Sequence, residues 1–214
     1  MPESRTEDAC DELINSEGWL AAISLSIITF VVIFIVGALV LPEDDNWYGL
    51  LWAGGLIVAS KVIVSWFPGQ LSFHNPSFKI VIIAIVAAFG IHAILWWQPL
   101  AEGYLKHFYS YELFGRFVYA IIFCVIFPVV EEIYFRGLLL PVISLRFGVG
   151  NGAILSVIIF ILYHMTSKGV LSLALLGGVS TWLVIRAKTI IPSIAMHITF
   201  NSIWLIHGVT TAAK

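Results

Sequence analysis

The stretch LFGRFVYAIIFCVIFPVVEEIYFR, residues 113–136, decides how the rest of the chain is read. Residues 113–130 carry one charge, Arg116, and approach the ~20 mostly apolar residues that a helix needs to cross a bilayer. A strand does not fit, because the apolar run is continuous instead of alternating and an open sheet edge cannot persist in lipid. Two carboxylates, Glu131 and Glu132, follow at once. A charged acid near the bilayer centre costs roughly 2.5–3.5 kcal/mol on insertion scales, so such residues are rare and usually functional. Pro128 lies just before them; it lacks a backbone N–H and favours a kink or break. Arg136 stands one helical turn after Glu132 and can pair with it. Glu131 then projects about 100° round the helix from Glu132. Both acids could serve a structural ion pair, but two carboxylates and one cation leave one carboxylate over for chemistry.

Outward from this stretch, further apolar runs cover 19–41, 48–67 and 78–97 on one side and 151–164, 170–186 and 190–207 on the other. The first ends in Pro42, Glu43, Asp44 and Asp45, the second is interrupted only by Lys61, and the third stops at Gln98 and Pro99. Residues 131–145 mix charge with the apolar LLLPVISL and leave the helix count open by one. The predicted fold is all-α, a polytopic transmembrane bundle of seven to eight helical segments with the catalytic core in the C-terminal half. It divides into an acidic polar tail (1–18), three transmembrane helices (19–98) and a core (113–208). The acidic N-terminus has neither the basic flank nor the small-residue cleavage site of a signal peptide, so the first apolar run is expected to be retained in the membrane.

Composition agrees. Of 214 residues 60% are hydrophobic and only 11% charged, with a mean hydropathy of +0.98, against about a quarter charged in an average soluble domain. Several of the eight Trp and seven Tyr flank the apolar runs (Trp19, Trp47, Tyr48, Trp66, Trp96, Trp97), where amphipathic rings favour the headgroup region. A net charge of −2 gives nucleic acid nothing to bind. Cys10 and Cys124 lie in different surroundings and do not suggest a disulfide. If 131–146 does not cross, Arg5, Lys79, Arg146, Arg186 and Lys188 fall on one side of the membrane, and Lys106, Arg116, Lys168 and Lys214 on the other. That balance favours a cytoplasmic N-terminus by one residue.

Eleven of the thirteen acids lie at or before Glu112, which isolates Glu131 and Glu132 in the second half. Three histidines also occupy that half. His164 ends an apolar run one turn after Phe160, and His197 and Asn201, four apart, share a helix face. His207 reads as a headgroup-level residue, while His74, His92 and His107 have no evident partner in the earlier half. A lone helical His is usually structural. Polar groups in lipid-depth helices turn inward and seek one another, so a Glu, two His and an Asn on three apolar segments are expected to converge.

These residues resemble a known family. Glu131-Glu132-x-x-x-Arg136, Phe160-x-x-x-His164 and His197-x-x-x-Asn201 match, in order, the three motifs of the CPBP family, the CAAX-prenyl-protease-like and bacteriocin-processing membrane proteins, also called Abi. The resemblance covers roughly residues 113–208, and the first three helices lie outside it. It implies a glutamate-dependent intramembrane endopeptidase. Glu131, assisted by His164, would activate a water; His197 and Asn201 would steady the oxyanion; Glu132, Arg136 and Phe160 would brace the site. An amide donor suits an oxyanion, and loss of such a donor elsewhere costs about 2.7–4 kcal/mol of transition-state stabilisation.

Two other readings compete. A zinc peptidase could use Glu131, His164 and His197 as ligands with an open fourth position, although the chain has no HExxH and Asn201 is a poor zinc ligand. A transport, binding or immunity protein could use the same groups as a proton relay; an inverted repeat should then break a helix in each half, and charge with proline interrupts only the second. The expectation is an enzyme without cofactor in a plasma membrane, crossing it several times. Its partners would be the bilayer and a membrane-associated peptide or protein: a prenylated C-terminal tail, a leader peptide or a sorting tail.

Overall fold

The computed structural model describes residues 20, 23–29, 31, 32, 35, 46–66, 72–97, 102–164 and 169–212, and every regular element among them is helical. Trp19, the polar stop at 42–45, Cys10, Arg5, Lys168 and Lys214 lie outside the described residues.

Residues 23–29 are helical, and three further helices with described bounds precede the 113–136 stretch: α1 (Asn46–Trp66), α2 (Phe78–Ile94) and the short α3 (Glu102–Ser110). In α1 the buried Leu56, Ala59 and Ile63 mark the core-facing stripe, while Lys61 points outward. Ala84, Ala88 and Ile91 form the buried stripe of α2. Alanine at every fourth position lets another helix approach closely, the usual means of packing where water supplies no hydrophobic drive.

Residues 113–147 form one uninterrupted helical rod. It comprises α4 (Leu113–Ile121), a π stretch (Ile122–Ile126), α5 (Phe127–Glu132), a second π stretch (Ile133–Leu139) and the first part of α6 (Leu140–Tyr163). At 1.5 Å per residue the rod is roughly 50 Å long, against a hydrocarbon core of ~30 Å. Glu131 stands near its middle. The segment 131–145, whose status the sequence leaves open, therefore continues the fourth apolar run.

The turn comes at Gly148, whose φ of 78° and ψ of 159° break α6 in two. This conformation is essentially reserved for glycine. The short apolar run after it doubles back along the rod: the Ser156 hydroxyl donates to the Phe135 carbonyl at 3.4 Å, and the rings of Phe135 and Phe160 meet edge to face with centroids 5.1 Å apart. Gly152 makes the turn possible, since a Cβ there would come within 2.8 Å of Ser144 Cα. The hairpin returns His164 to the level of Glu131.

Helices α7 (Val170–Ala187) and α8 (Ile191–Ala212) complete the bundle. Lys188, in the left-handed region at φ 56°, ends α7. Thr189 Oγ1 and Ile190 N both donate to the Ser72 carbonyl at 3.3 Å. That clasp starts α2 and α8 at the same end, so they run side by side in parallel. The core lies where the rod, α1, α7 and α8 converge, around Phe135, Leu138, Leu139, Phe160, Leu183 and Met196.

Among the described residues, two stretches, Leu113–Tyr163 and Val170–Ala187, are long and apolar enough to cross a membrane. Only 11% and 28% of their most apolar windows are buried inside the protein. Core helices of a water-soluble domain would be mostly covered; here Phe114, Phe117 and Leu162 point outward. Lipid is the medium that accommodates them.

Candidate active site

Glu131 and Glu132 leave α5 in different directions and meet different partners. Glu132 is fully buried, and its Oε1 accepts from Arg136 Nη1 at 3.0 Å and from His197 Nδ1 at 2.9 Å. A buried carboxylate beside a guanidinium is an acceptor, so the proton of that second bond resides on His197 Nδ1. The Ser193 hydroxyl, one turn before His197, lies beside the same carboxylate while donating to the Ile190 carbonyl.

Arg136 is enclosed. Its guanidinium carbon sits 4.2 Å from the centroid of the Phe160 ring and 5.8 Å from that of Phe135. Cation–π contact of this kind is strongest where water is excluded. Behind it stands Gly177 of α7, where an added Cβ would come within 3.2 Å of Phe160 Cδ1 and 3.3 Å of Arg136 Nη2.

Glu131 turns toward the histidines. Its Oε2 lies 3.8 Å from His164 Nε2 and 3.7 Å from His197 Nε2. Both distances exceed a direct hydrogen bond and suit a contact made through a water. His164 Nδ1 faces the Phe160 carbonyl at 2.7 Å; a carbonyl only accepts, so Nδ1 donates and Nε2 is turned toward Glu131. Phe160 also stacks against His164 with centroids 4.5 Å apart. Each imidazole is thus steered by a bond at Nδ1, which points its other nitrogen at one carboxylate oxygen. Side-chain exposure is 8% for Glu131 and 4% for His197 but 21% for His164, so the site opens past His164.

Asn201, one turn after His197 on α8, donates Nδ2 to the Phe123 carbonyl at 3.0 Å. All seven residues singled out in the sequence therefore occupy one region. Four others there carry no sequence signal of their own: Ser193, Gly177, Tyr163 and Phe123. Ser193 extends the four-residue spacing of His197 and Asn201 back by one turn, and that periodicity could have found it. The Tyr163 ring packs edge-on against Phe135 (5.1 Å) and His164 (5.9 Å).

His92 and His207, apart in sequence, meet away from this site. Their rings lie 5.0 Å apart, and both pack against Trp204. His92 thus finds its partners in the C-terminal helix, not in the earlier half. His74 Nδ1 is 2.9 Å from the Ser72 hydroxyl, and Cys124 is buried with a free thiol. The His107 side chain lies outside the described residues.

Among the described residues, no group of three or more His, Cys, Asp or Glu side chains is arranged to hold a metal ion. No curated protein and no solved structure matches the chain. Residues 113–203 match the model of one family, described as type II CAAX prenyl endopeptidase Rce1-like. That segment spans the rod, the hairpin and α8 past Asn201, the elements that bring the polar cluster together. Over those residues the chain is similar to the Rce1-like family of type II CAAX prenyl endopeptidases.

Proposed function

We propose that the chain is a glutamate-dependent intramembrane endopeptidase that hydrolyses a peptide bond in a membrane-associated tail. One observation carries this reading: two imidazole nitrogens, each steered from its far side, face a single oxygen of Glu131 at 3.7 and 3.8 Å. A water held there loses a proton to Glu131, with the His164 lone pair sharing it, as its oxygen attacks the scissile carbonyl. The oxyanion that forms is met by the second amide hydrogen of Asn201, the first being committed to Phe123, and by the N–H that His197 Nε2 presents when both of its ring nitrogens carry protons. The stored proton then passes to the amide nitrogen as the C–N bond breaks, leaving a carboxylic acid and an amine. Glu132 and Arg136 orient His197, and Phe160 holds Arg136 and His164.

The substrate is a prenylated C-terminal tail, a leader peptide or a sorting tail, and the setting is a plasma membrane crossed several times. The experiment is cleavage of a panel of membrane-tail peptides by purified protein, with Glu131→Ala and His197→Ala beside wild type. Loss of a positioned acid–base group lowers rates about 10²–10⁴-fold, so both variants should fall by at least about 100-fold with folding intact. Cleavage unchanged in both would remove the assignment.

A zinc peptidase with Glu131, His164 and His197 as ligands is the second reading. What favours it is the steering at both Nδ1 atoms, the outer-shell arrangement that metal-bound histidines use. Activity that persists in excess chelator is expected; loss restored only by zinc would select the metal mechanism.

A further inference from the structure

The hydrogen bond from Asn201 to the rod has a specific local origin. In the first π stretch the Phe127 N–H reaches back five residues to the Ile122 carbonyl. The next donor in that register belongs to residue 128, which is proline and has no N–H. The bond that any other residue 128 would supply to the Phe123 carbonyl comes instead from Asn201 Nδ2, across the helix interface at 3.0 Å.

Placement gives this bond its consequence. Glu131 follows Pro128 by three residues, less than one turn. On α8 the residue one turn before Asn201 is His197, which holds Glu132 Oε1 at 2.9 Å. Two struts from one face of α8 therefore grip the rod, one before Pro128 and one after it. Between them they set the height and rotation of the segment that presents Glu131 to the imidazoles. The interior π stretch at 122–126 is in keeping with this, since π bulges are frequent at functional sites.

We propose that Asn201 is a positioning residue for Glu131: it supplies the backbone hydrogen bond that Pro128 cannot, and so fixes the carboxylate against His164 and His197. This rests on the peptidase reading and adds to it a role that Asn201 performs before any substrate arrives.

The test is a double-mutant cycle in the full-length protein with Asn201→Ala, Pro128→Ala and the double variant, reading kcat, KM and amide hydrogen exchange of residues 127–132. Alone, Asn201→Ala should lower kcat about 10- to 100-fold, the scale of one lost buried hydrogen bond, with KM within about twofold. With alanine at 128 the backbone regains a donor, so removing Asn201 should cost about tenfold less than it does beside proline. Exchange at 127–132 should quicken in Asn201→Ala and return toward wild type in the double variant. An equal loss of kcat in both backgrounds makes Asn201 an oxyanion donor alone and overturns the proposal. If Pro128→Ala does not fold or is itself inactive, exchange in Asn201→Ala decides: unchanged protection at 127–132 also overturns it. The exchange measurement needs no substrate, so a failed peptidase assignment and a failed positioning role give different results.

Discussion

Glu131 and Glu132 are the same side chain one position apart, and the bundle treats them as different chemical entities. Glu132 is locked between Arg136 and His197 with no exposed surface, whereas Glu131 faces two ring nitrogens at 3.7 and 3.8 Å, beyond a direct hydrogen bond. Opposite phenotypes should follow. Glu131→Gln keeps shape and packing, so its thermal unfolding in detergent should match wild type while cleavage drops at least about 100-fold. Glu132→Gln strips the counter-charge from a buried guanidinium, and breaking such a pair costs about 3–5 kcal/mol. Its unfolding temperature should fall well before activity is considered. A Glu132→Gln protein as stable as wild type, or a Glu131→Gln protein that unfolds early, would reverse the roles assigned to the two acids. The four-residue spacing of Glu132 and Arg136 was legible in the sequence, because one helical turn is a local fact. That His197 would add a second donor to the same oxygen was not, because it comes from 65 positions away.

Among the elements, the hairpin of α6 and the approach of α7 depend on residues with no side chain. Gly148 turns the chain in a conformation that costs other residues about 1–3 kcal/mol. Gly148→Ala should lower stability on that scale, and a melting curve unmoved from wild type would show that the turn tolerates a side chain. Gly177 acts differently: its helix is regular, but a methyl group there meets Phe160 and Arg136 at 3.2–3.3 Å. Gly177→Ala should displace the aromatic wall behind His164 and cut cleavage several-fold, while Gly178→Ala, where nothing lies within 4 Å, should not. Equal activity in the two would remove Gly177 from the site. Apolar periodicity outlined these helices from sequence. It does not show that the short run after Gly148 folds back on the rod, because the reversal rests on one torsion angle and one close contact.

At the scale of the whole molecule, the rod separates Arg116 from Arg146 by nearly its full length, which is long enough to set the two ends of 113–147 on opposite faces of a bilayer. Single cysteines at Glu112 and Gly150, in a Cys10→Ser background that keeps the buried Cys124, should react with an impermeant thiol reagent from opposite sides of sealed vesicles. Labelling of both from one side would mean that the rod does not cross.

The sequence by itself determined the medium, the helical class and the identity of the polar residues that gather. Composition, uninterrupted apolar runs and one-turn spacings are properties of short segments and can be read without a fold. Only the tertiary structure decided which carboxylate is braced and which faces the imidazoles, where the rod reverses, that His92 belongs with Trp204 and His207, and that Asn201 completes the backbone around Pro128. Each of these depends on the register in which one helix packs against another, and register is set by the summed fit of side chains along both helices, which no single segment encodes.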